Sequence, residues 1–268
     1  MEINDRAVLL TGASGGLGTV MSERLLAEGF TVFAASRHPR ADGPGIPITM
    51  DVADAASVAA AVTEITRHVG DRGLHAVVNN AAILHAGPVD LLPTEHVHEQ
   101  LQTNIAGVIT VTTACLPLLE RSGGRIVNVG SINAQLPLPY WSIYSATKAA
   151  VAALSDAWRL ELAPRNISVV LLTLGAFDTA IRRTGLRAWT GLDRPGGALR
   201  ANTALVNVLD ATATDPRVAA DALAGVLGAA QPDAHVHLGD GIAELVALAT
   251  QPPATRDLVL GQLLAAAT

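Results

Sequence analysis

The sequence predicts an α/β fold: one doubly wound parallel sheet with helices on both faces, forming a single domain over residues 1–268. Three observations predict it. Short apolar runs of strand length alternate with stretches of helical period along the whole chain. No segment between them is long enough to divide domains, and no internal repeat appears. Half the residues are hydrophobic and only 16% are charged, so a sizeable core can be buried; with aromatics at 3%, Ala, Val and Leu must fill it.

The first unit is Arg6-Ala7-Val8-Leu9-Leu10, a strand that runs into Thr11-Gly12-Ala13-Ser14-Gly15-Gly16-Leu17-Gly18. Leu17, Val20, Met21 and Leu25 then recur at helical spacing up to Gly29. Strand, glycine-rich turn and helix form the context of a dinucleotide-binding fingerprint, although Thr-Gly-x-x-x-Gly-x-Gly is wider than Gly-x-Gly-x-x-Gly. Glycines let backbone approach a pyrophosphate, and a helix N-terminus offers free N–H groups and partial positive charge. Gly12, Ser14, Gly16, Leu17 and Gly18 are the candidates there.

Phe30 to Ala35 is the second strand, followed by Ser36 and Arg37. An acidic residue at that place would bind a ribose 2′-hydroxyl and repel a 2′-phosphate, whereas a hydroxyl beside a guanidinium suits the phosphate. NADP(H) is therefore expected over NAD(H). A turn-rich loop from Pro39 to Pro47 leads into a short strand, Ile46 to Met50, and then Asp51-Val52. Asp54 is placed to cap a helix from Ala55 to Val69, with Val58, Val62, Ile65 and Val69 as its apolar stripe. His75 to Val78 reads as a buried strand ending in Asn79-Asn80-Ala81-Ala82, where the asparagines pin a turn and face a cofactor cleft.

Thr94 is placed to cap a helix holding Val97, Leu101 and Asn104, and a second helical run, Val108 to Leu119, carries Cys115 on its apolar side. On position alone, Asn104 is a solvated mid-helix amide. Arg125 to Val129 is a buried strand ending in Gly130-Ser131. A long helix follows, lined by Ala150, Val151, Leu154, Trp158 and Leu162, then a strand from Ile167 to Leu172. Residues 181–209 read as irregular, and 175–212 as a lid over the strand ends. Asp215-Pro216 starts a helix running to about Ala230, His235 to Leu238 is the last strand, and 241–268 is a helical tail suited to packing on a partner subunit.

Bulk properties exclude several classes. A net charge of −6 leaves no footprint for nucleic acid, and no basic run suits a membrane surface. No apolar run reads as long enough to span a bilayer, and the first residues leave no room for a signal peptide before the strand. Cys115 is the single cysteine, so no internal disulfide forms. His96 and His98 do not share a helical face; His235 and His237 do, but without further ligands, so no metal site is expected. The expected location is the cytoplasm.

The chemistry concentrates between Ser131 and Lys148. Tyr144 and Lys148 are four apart with no Gly or Pro up to Leu162, so they share one helix face about 6 Å apart along the axis. A nearby ammonium favours phenolate and draws a phenol from its ordinary value near 10 towards the working range. Ser131, just after a strand, is placed to hold the substrate oxygen.

Taken in order, Thr11-Gly12-x-x-x-Gly16-x-Gly18, Asn79-Asn80-Ala81, Ser131 and Tyr144-x-x-x-Lys148 resemble the short-chain dehydrogenase/reductase family from about Arg6 to Gly241. The resemblance implies a Rossmann-type fold and a homodimer or homotetramer. Gly87-Pro88-Val89, Gly124 to Val129 and Trp158 to Ala163 are similar to the subgroup reducing ketones on steroid-like and other bulky apolar substrates. It further implies Tyr144 as general acid or base, Lys148 as its tuner and a ligand of the nicotinamide ribose, Ser131 on the carbonyl, and Asn104 fixing a proton-relay water. Asp51 and Val52 would lie by the adenine, Asn79 would support sheet and cofactor, Ala81 and Gly175 would border the cofactor, and Thr179 would reach the carboxamide. Leu136, Leu138, Trp141, Phe177, Ile181 and Trp189 are candidates for an apolar substrate pocket.

The expected activity is an NADP(H)-dependent interconversion of ketone and secondary alcohol on an apolar small molecule. Two departures from the family pattern, Ala82 for Gly and Leu174 for Pro, border the cofactor and leave room for other classes. One is a non-redox dehydratase, cyclase or epimerase, and the other a cofactor-binding regulatory protein.

Overall fold

Seven strands form one parallel sheet in the computed structural model, which describes residues 6–181, 184–185 and 198–266. In chain order they are β1 (Ala7–Thr11), β2 (Thr31–Ser36), β3 (Ile46–Thr49), β4 (Ala76–Asn79), β5 (Arg125–Val129), β6 (Ser168–Leu174) and β7 (His235–Leu238). In space they run β3-β2-β1-β4-β5-β6-β7. The chain steps outward from β1 to β3, then returns to lay β4 against the other side of β1. That reversal opens a crevice above the carboxyl ends of β1 and β4, the place where open α/β sheets bind ligands.

The described helices are α1 (Gly16–Ala27), α2 (Ala55–Val69), α3 (Thr94–Leu101), α4 (Gly107–Ser122), α5 (Ser142–Glu161), α6 (Ala198–Ala211), α7 (Pro216–Gly228), α8 (Ile242–Ala249) and α9 (Pro253–Ala266). Strand periodicity divides the core between the two faces. Leu9, Phe33, Val77 and Ile126 point to one, against Val58 and Ile65 of α2 and Val111, Cys115 and Leu119 of α4. Val8, Leu10, Val32 and Val127 point to the other, against Met21 and Leu25 of α1 and Ala219 and Leu223 of α7. With both faces covered, every residue of β1 is buried, which is why it reads as an unbroken apolar run. Truncating Leu25 or Leu119 to Ala should cost about 2–5 kcal/mol.

Caps behave as their chemistry requires. Asp54 accepts from the Ala56 N–H at 2.9 Å, and Asp215 from the Arg217 N–H at 2.8 Å. Thr94 does not cap: it is already the first helical residue, the N-cap position belongs to Pro93, and no side chain bonds the first turn. Leu101 is 39% exposed, while Gln100 is buried with its amide donating to the His85 carbonyl.

The two helices expected between Thr94 and Leu119 form a continuous rod, because one π turn, Gln102–Ala106, joins α3 to α4. Gly107 lies where the rod crosses close to Val52; a Cβ there would come to 3.0 Å of the valine. Thr94–Ser122 has 29 residues and a mean hydropathy of 1.3 over its most apolar window. By length and hydropathy it reaches what a membrane span needs, against the expectation that no run would. Val111, Cys115, Leu118 and Leu119 nevertheless lie in the core, and interior helices pass the same measure.

Two more expectations need correction. The stretch read as irregular up to Leu209 contains α6, whose Leu199, Val206 and Leu209 supply an apolar face. Leu174, expected to border the cofactor, ends β6, pairs with Leu238 and is buried in the core.

Candidate active site

α5 carries the Tyr144–Lys148 pair. With no Gly or Pro in its 20 residues, the helix keeps Tyr144 and Lys148 one turn apart on its buried face. Lys148 Nζ donates to the Val129 carbonyl at the end of β5, 2.8 Å away, and lies 5.7 Å from the Tyr144 ring centroid. Burial pulls the Lys148 ammonium from its ordinary range down to about 8. It remains mostly charged at neutral pH, close to its point of proton loss.

Ser131, separated from β5 by Gly130, is in extended conformation, where it caps the short turn Ile132–Ala134 and its Oγ accepts from the Asn133 N–H at 3.2 Å. That turn packs against α5, which brings Ser131 to the Tyr144 side of the sheet.

Asn104 is not a solvated amide. It is 2% exposed; its Oδ1 accepts from the Ile83 N–H at 2.9 Å, and its Nδ2 donates to the Ile83 carbonyl at 2.8 Å and to Thr147 Oγ1 at 3.1 Å. Thr147 Oγ1 in turn donates to the Tyr144 carbonyl at 2.7 Å. The π turn thus aims Asn104 inward, where it locks the segment after β4 and reaches Thr147 of α5. Thr147 was missed in the sequence, although it stands three residues after Tyr144 on the same helix face.

At the reversal of the sheet, Thr11 Oγ1 accepts from the N–H groups of Asn80 and Ala81, and Asn80 Nδ2 donates to the carbonyls of Thr11 and Gly12. Gly12 has φ +67°, and a Cβ on it would lie 2.9 Å from Ala81 Cα. A Cβ on Gly18 would strike the Gly12 backbone, whereas Gly16 faces open space with nothing within 4 Å. Among the described residues no side chain caps α1, and its first turn holds no acidic residue, so its leading N–H groups are left for a ligand or water beside exposed Ser14 and Gly16. Leu17 turns the other way, onto the core. This cradle fits a dinucleotide pyrophosphate.

Ser36 is buried at the end of β2, with its hydroxyl unpartnered among the described residues. It lines a small hollow of about 30 Å³ together with Ser14, Arg40 and Gly43. Arg37 is exposed, and the guanidinium bordering the hollow is that of Arg40, which pairs with Asp42 at 3.0 Å. Sequence reasoning did not single out Arg40.

Other expected residues fall at the same end of the sheet. Asp51 Oδ1 accepts from the Ala53 N–H at 3.0 Å, and Val52 is buried beside Gly107. Asn79 spends both amide protons inside the protein, on Asn128 Oδ1 at 2.8 Å and Thr112 Oγ1 at 3.0 Å; Asn128 passes the chain on to Ser155 of α5. Gly175 donates to the Leu238 carbonyl at 2.8 Å, and Thr179 follows, half-buried.

The apolar candidates divide. Trp141, Leu138 and Ile181 join Tyr144 in one cluster with Leu84, Ala86 and Val206, and the Trp141 ring meets Tyr144 edge-on, 6.2 Å between centroids. Phe177 does not belong there: a bridge to Thr214 holds its segment and its ring packs in the core with Ala219 and Leu223. Leu136 is buried but outside the Tyr144 cluster. Trp189 lies outside the described residues. Tyr140, just before α5, adopts φ +67°, and its carbonyl accepts from the Gly87 N–H at 2.8 Å. No cluster of metal-binding side chains occurs among the described residues.

A sheet reversal with a glycine cradle, beside a helix presenting a tyrosine over a buried lysine, defines a doubly wound α/β protein with a site at its strand ends. The sequence model described as short chain dehydrogenase matches residues 6–188, and the chain belongs to that family. The mouse protein named estradiol 17-beta-dehydrogenase 2 is 37% identical over 195 residues, which cover 68% of this chain and 50% of that protein. A 3-ketodihydrosphingosine reductase of Bacteroides thetaiotaomicron is 35% identical over 174 residues, 64% of each. The chain thus spans about half to two thirds of the length of these relatives. Among solved structures, a short-chain dehydrogenase from Streptomyces avermitilis has a TM-score of 0.76 at 25% identity, covering 96% of this chain and 94% of that one. Another, from Burkholderia cenocepacia and solved in complex with NADP, scores 0.73 at 25% identity and covers 98% and 100%.

Proposed function

We propose that the chain is an NADP(H)-dependent oxidoreductase that interconverts a ketone and a secondary alcohol on a largely apolar small molecule. The observation that carries the reading is the buried Lys148 ammonium 5.7 Å from the Tyr144 ring, at the carboxyl end of a sheet with a glycine cradle. When bound, the nicotinamide supplies hydride to the carbonyl carbon or accepts it from the alcohol. In the reducing direction Tyr144 gives its phenolic proton to the carbonyl oxygen and becomes phenolate. Lys148 stabilises that phenolate, and the Ser131 hydroxyl donates to the same substrate oxygen as charge develops on it. Asn104 holds the backbone of Ile83 in register with α5 and thereby positions Tyr144 through Thr147.

Gly12, Gly16 and Gly18 would cradle the pyrophosphate, and Ser36 with Arg37 would take the 2′-phosphate, which supports NADP(H) over NAD(H). Leu138, Trp141 and Ile181 around Tyr144 support an apolar substrate. Membership of the family supports a homo-oligomer. Cys115 is a buried free thiol that burial pushes up to about 12, so it takes no part in the chemistry, and the cytoplasm is the location proposed for the chain.

The test is NADPH oxidation across a panel of apolar ketones by the wild type and by Tyr144→Phe. Turnover lost by roughly a thousandfold in the variant, with NADPH affinity kept within about threefold, is expected. NADPH binding with no turnover of any ketone, or full turnover by the variant, overturns the assignment.

A further inference from the structure

We infer that Asn202 is a specificity-determining residue, and that the substrate carries a second hydrogen-bond-accepting oxygen away from its reacting carbonyl. The inference deepens the oxidoreductase reading and rests on it. Leu199, Asn202, Val206 and Leu209 fall at spacings of three, four and three, so α6 turns them to one face. Leu199, Val206 and Leu209 pack in the cluster that surrounds Tyr144. Asn202 is the polar member of this face, and it is fully buried, at 0% exposure.

Its amide has a fixed orientation. Trp141 Nε1 is a donor only, so the atom 2.8 Å from it must be the Asn202 oxygen. The two protons of Nδ2 therefore point away from the indole. Nδ2 is enclosed and has no partner among the described residues. Leaving a buried donor unmet is costly, and if its task were only to hold Trp141, an acceptor without spare donors would suffice. On a face packed into the apolar cluster that holds Tyr144, the missing partner fits a substrate oxygen: a carbonyl, ether or hydroxyl borne on an otherwise apolar skeleton. A site built to bond such an oxygen discriminates strongly against the analogue lacking it.

The experiment uses matched pairs of cyclic ketones that share one carbon skeleton, with and without a second carbonyl. Wild type is expected to favour the dicarbonyl member by roughly tenfold or more in kcat/KM, mainly through KM. Asn202→Leu should collapse that ratio towards one. Trp141→Phe, which removes the indole partner but leaves the amide, should retain most of it. No preference in the wild type, an unchanged ratio in Asn202→Leu, or equal loss in both variants (a merely structural role) overturns the inference. Failure of the wild type to reduce either member would instead overturn the oxidoreductase reading. Calorimetry of the same pairs with NADPH-loaded protein then decides the role of Asn202, equal affinities ruling it out.

Discussion

Lys148 holds its ammonium 2.8 Å from the Val129 carbonyl and 5.7 Å from the centre of the Tyr144 ring, inside the protein. One carbonyl is a thin substitute for the water it has lost, which is why its proton is held weakly, to about pH 8. That weak hold leads to the first prediction.

Between about pH 8 and the ordinary lysine value of 10.5, the folded protein binds fewer protons at this site than the unfolded chain. Stability from this group therefore rises with pH across that window and is least favourable below it. Lys148→Met should raise stability at pH 7, by up to ~3 kcal/mol, and remove the slope. Ketone reduction should move the other way, falling as pH passes about 8, where the ammonium loses its charge. Thermal melts and a kcat profile from pH 6 to 10 check both. A profile flat to pH 10 would show that the charge is not used.

Asn104 offers a second test. It meets both the N–H and the carbonyl of Ile83, so Asn104→Leu strands two half-buried backbone groups. The expected loss is about 2–4 kcal/mol in urea unfolding, with reduction slowed far more than NADPH binding is weakened. Thr147→Val removes the side-chain link to Asn104 and the hydroxyl's bond to the Tyr144 carbonyl but spares the Ile83 contacts, and should cost about 1 kcal/mol. Equal effects from the two variants would contradict the importance given to the Ile83 clamp.

These residues also mark how far the sequence could be read. Tyr144 and Lys148 were legible because helical period alone puts residues four apart on one face. The strands were legible because a sheet covered on both sides leaves near-continuous apolar runs. Asn104 was not: a mid-helix amide looks solvated until a π turn, which has no local signature, rotates it inward. α6 was hidden because its stripe includes a polar residue and follows a segment rich in Gly and Pro. Phe177 was misplaced because its burial depends on the pairing with Thr214, far along the chain.

At the glycine cradle, two substitutions of the same size should behave differently. Gly12→Ala forces a Cβ into a left-handed residue and to 2.9 Å from Ala81 Cα, costing about 1–3 kcal/mol and weakening NADPH binding by more than tenfold. Gly16→Ala meets nothing within 4 Å and begins a helix, so stability should stay within about 1 kcal/mol. Any loss of NADPH affinity in Gly16→Ala would then measure the closeness of the pyrophosphate and not damage to the fold. Melting curves and NADPH fluorescence titrations separate the two effects.

The choice between cofactors rests on which arginine is available at the end of β2. Arg40 borders the hollow beside Ser36, but it pairs with Asp42 at 3.0 Å. Both partners are exposed, so the pair itself adds little stability, yet the carboxylate opposes the approach of a phosphate. Arg37 adjoins Ser36 in the chain and is exposed. Arg37→Leu should therefore weaken NADPH roughly tenfold to a hundredfold while leaving NADH within about threefold, since only the former brings a 2′-phosphate for the guanidinium to hold. Arg40→Leu should change either affinity by no more than about threefold, and Asp42→Asn should strengthen NADPH by freeing the second guanidinium. If Arg40→Leu instead proves the damaging substitution, the phosphate lies deeper in the hollow, and Arg40 exchanges Asp42 for it on binding.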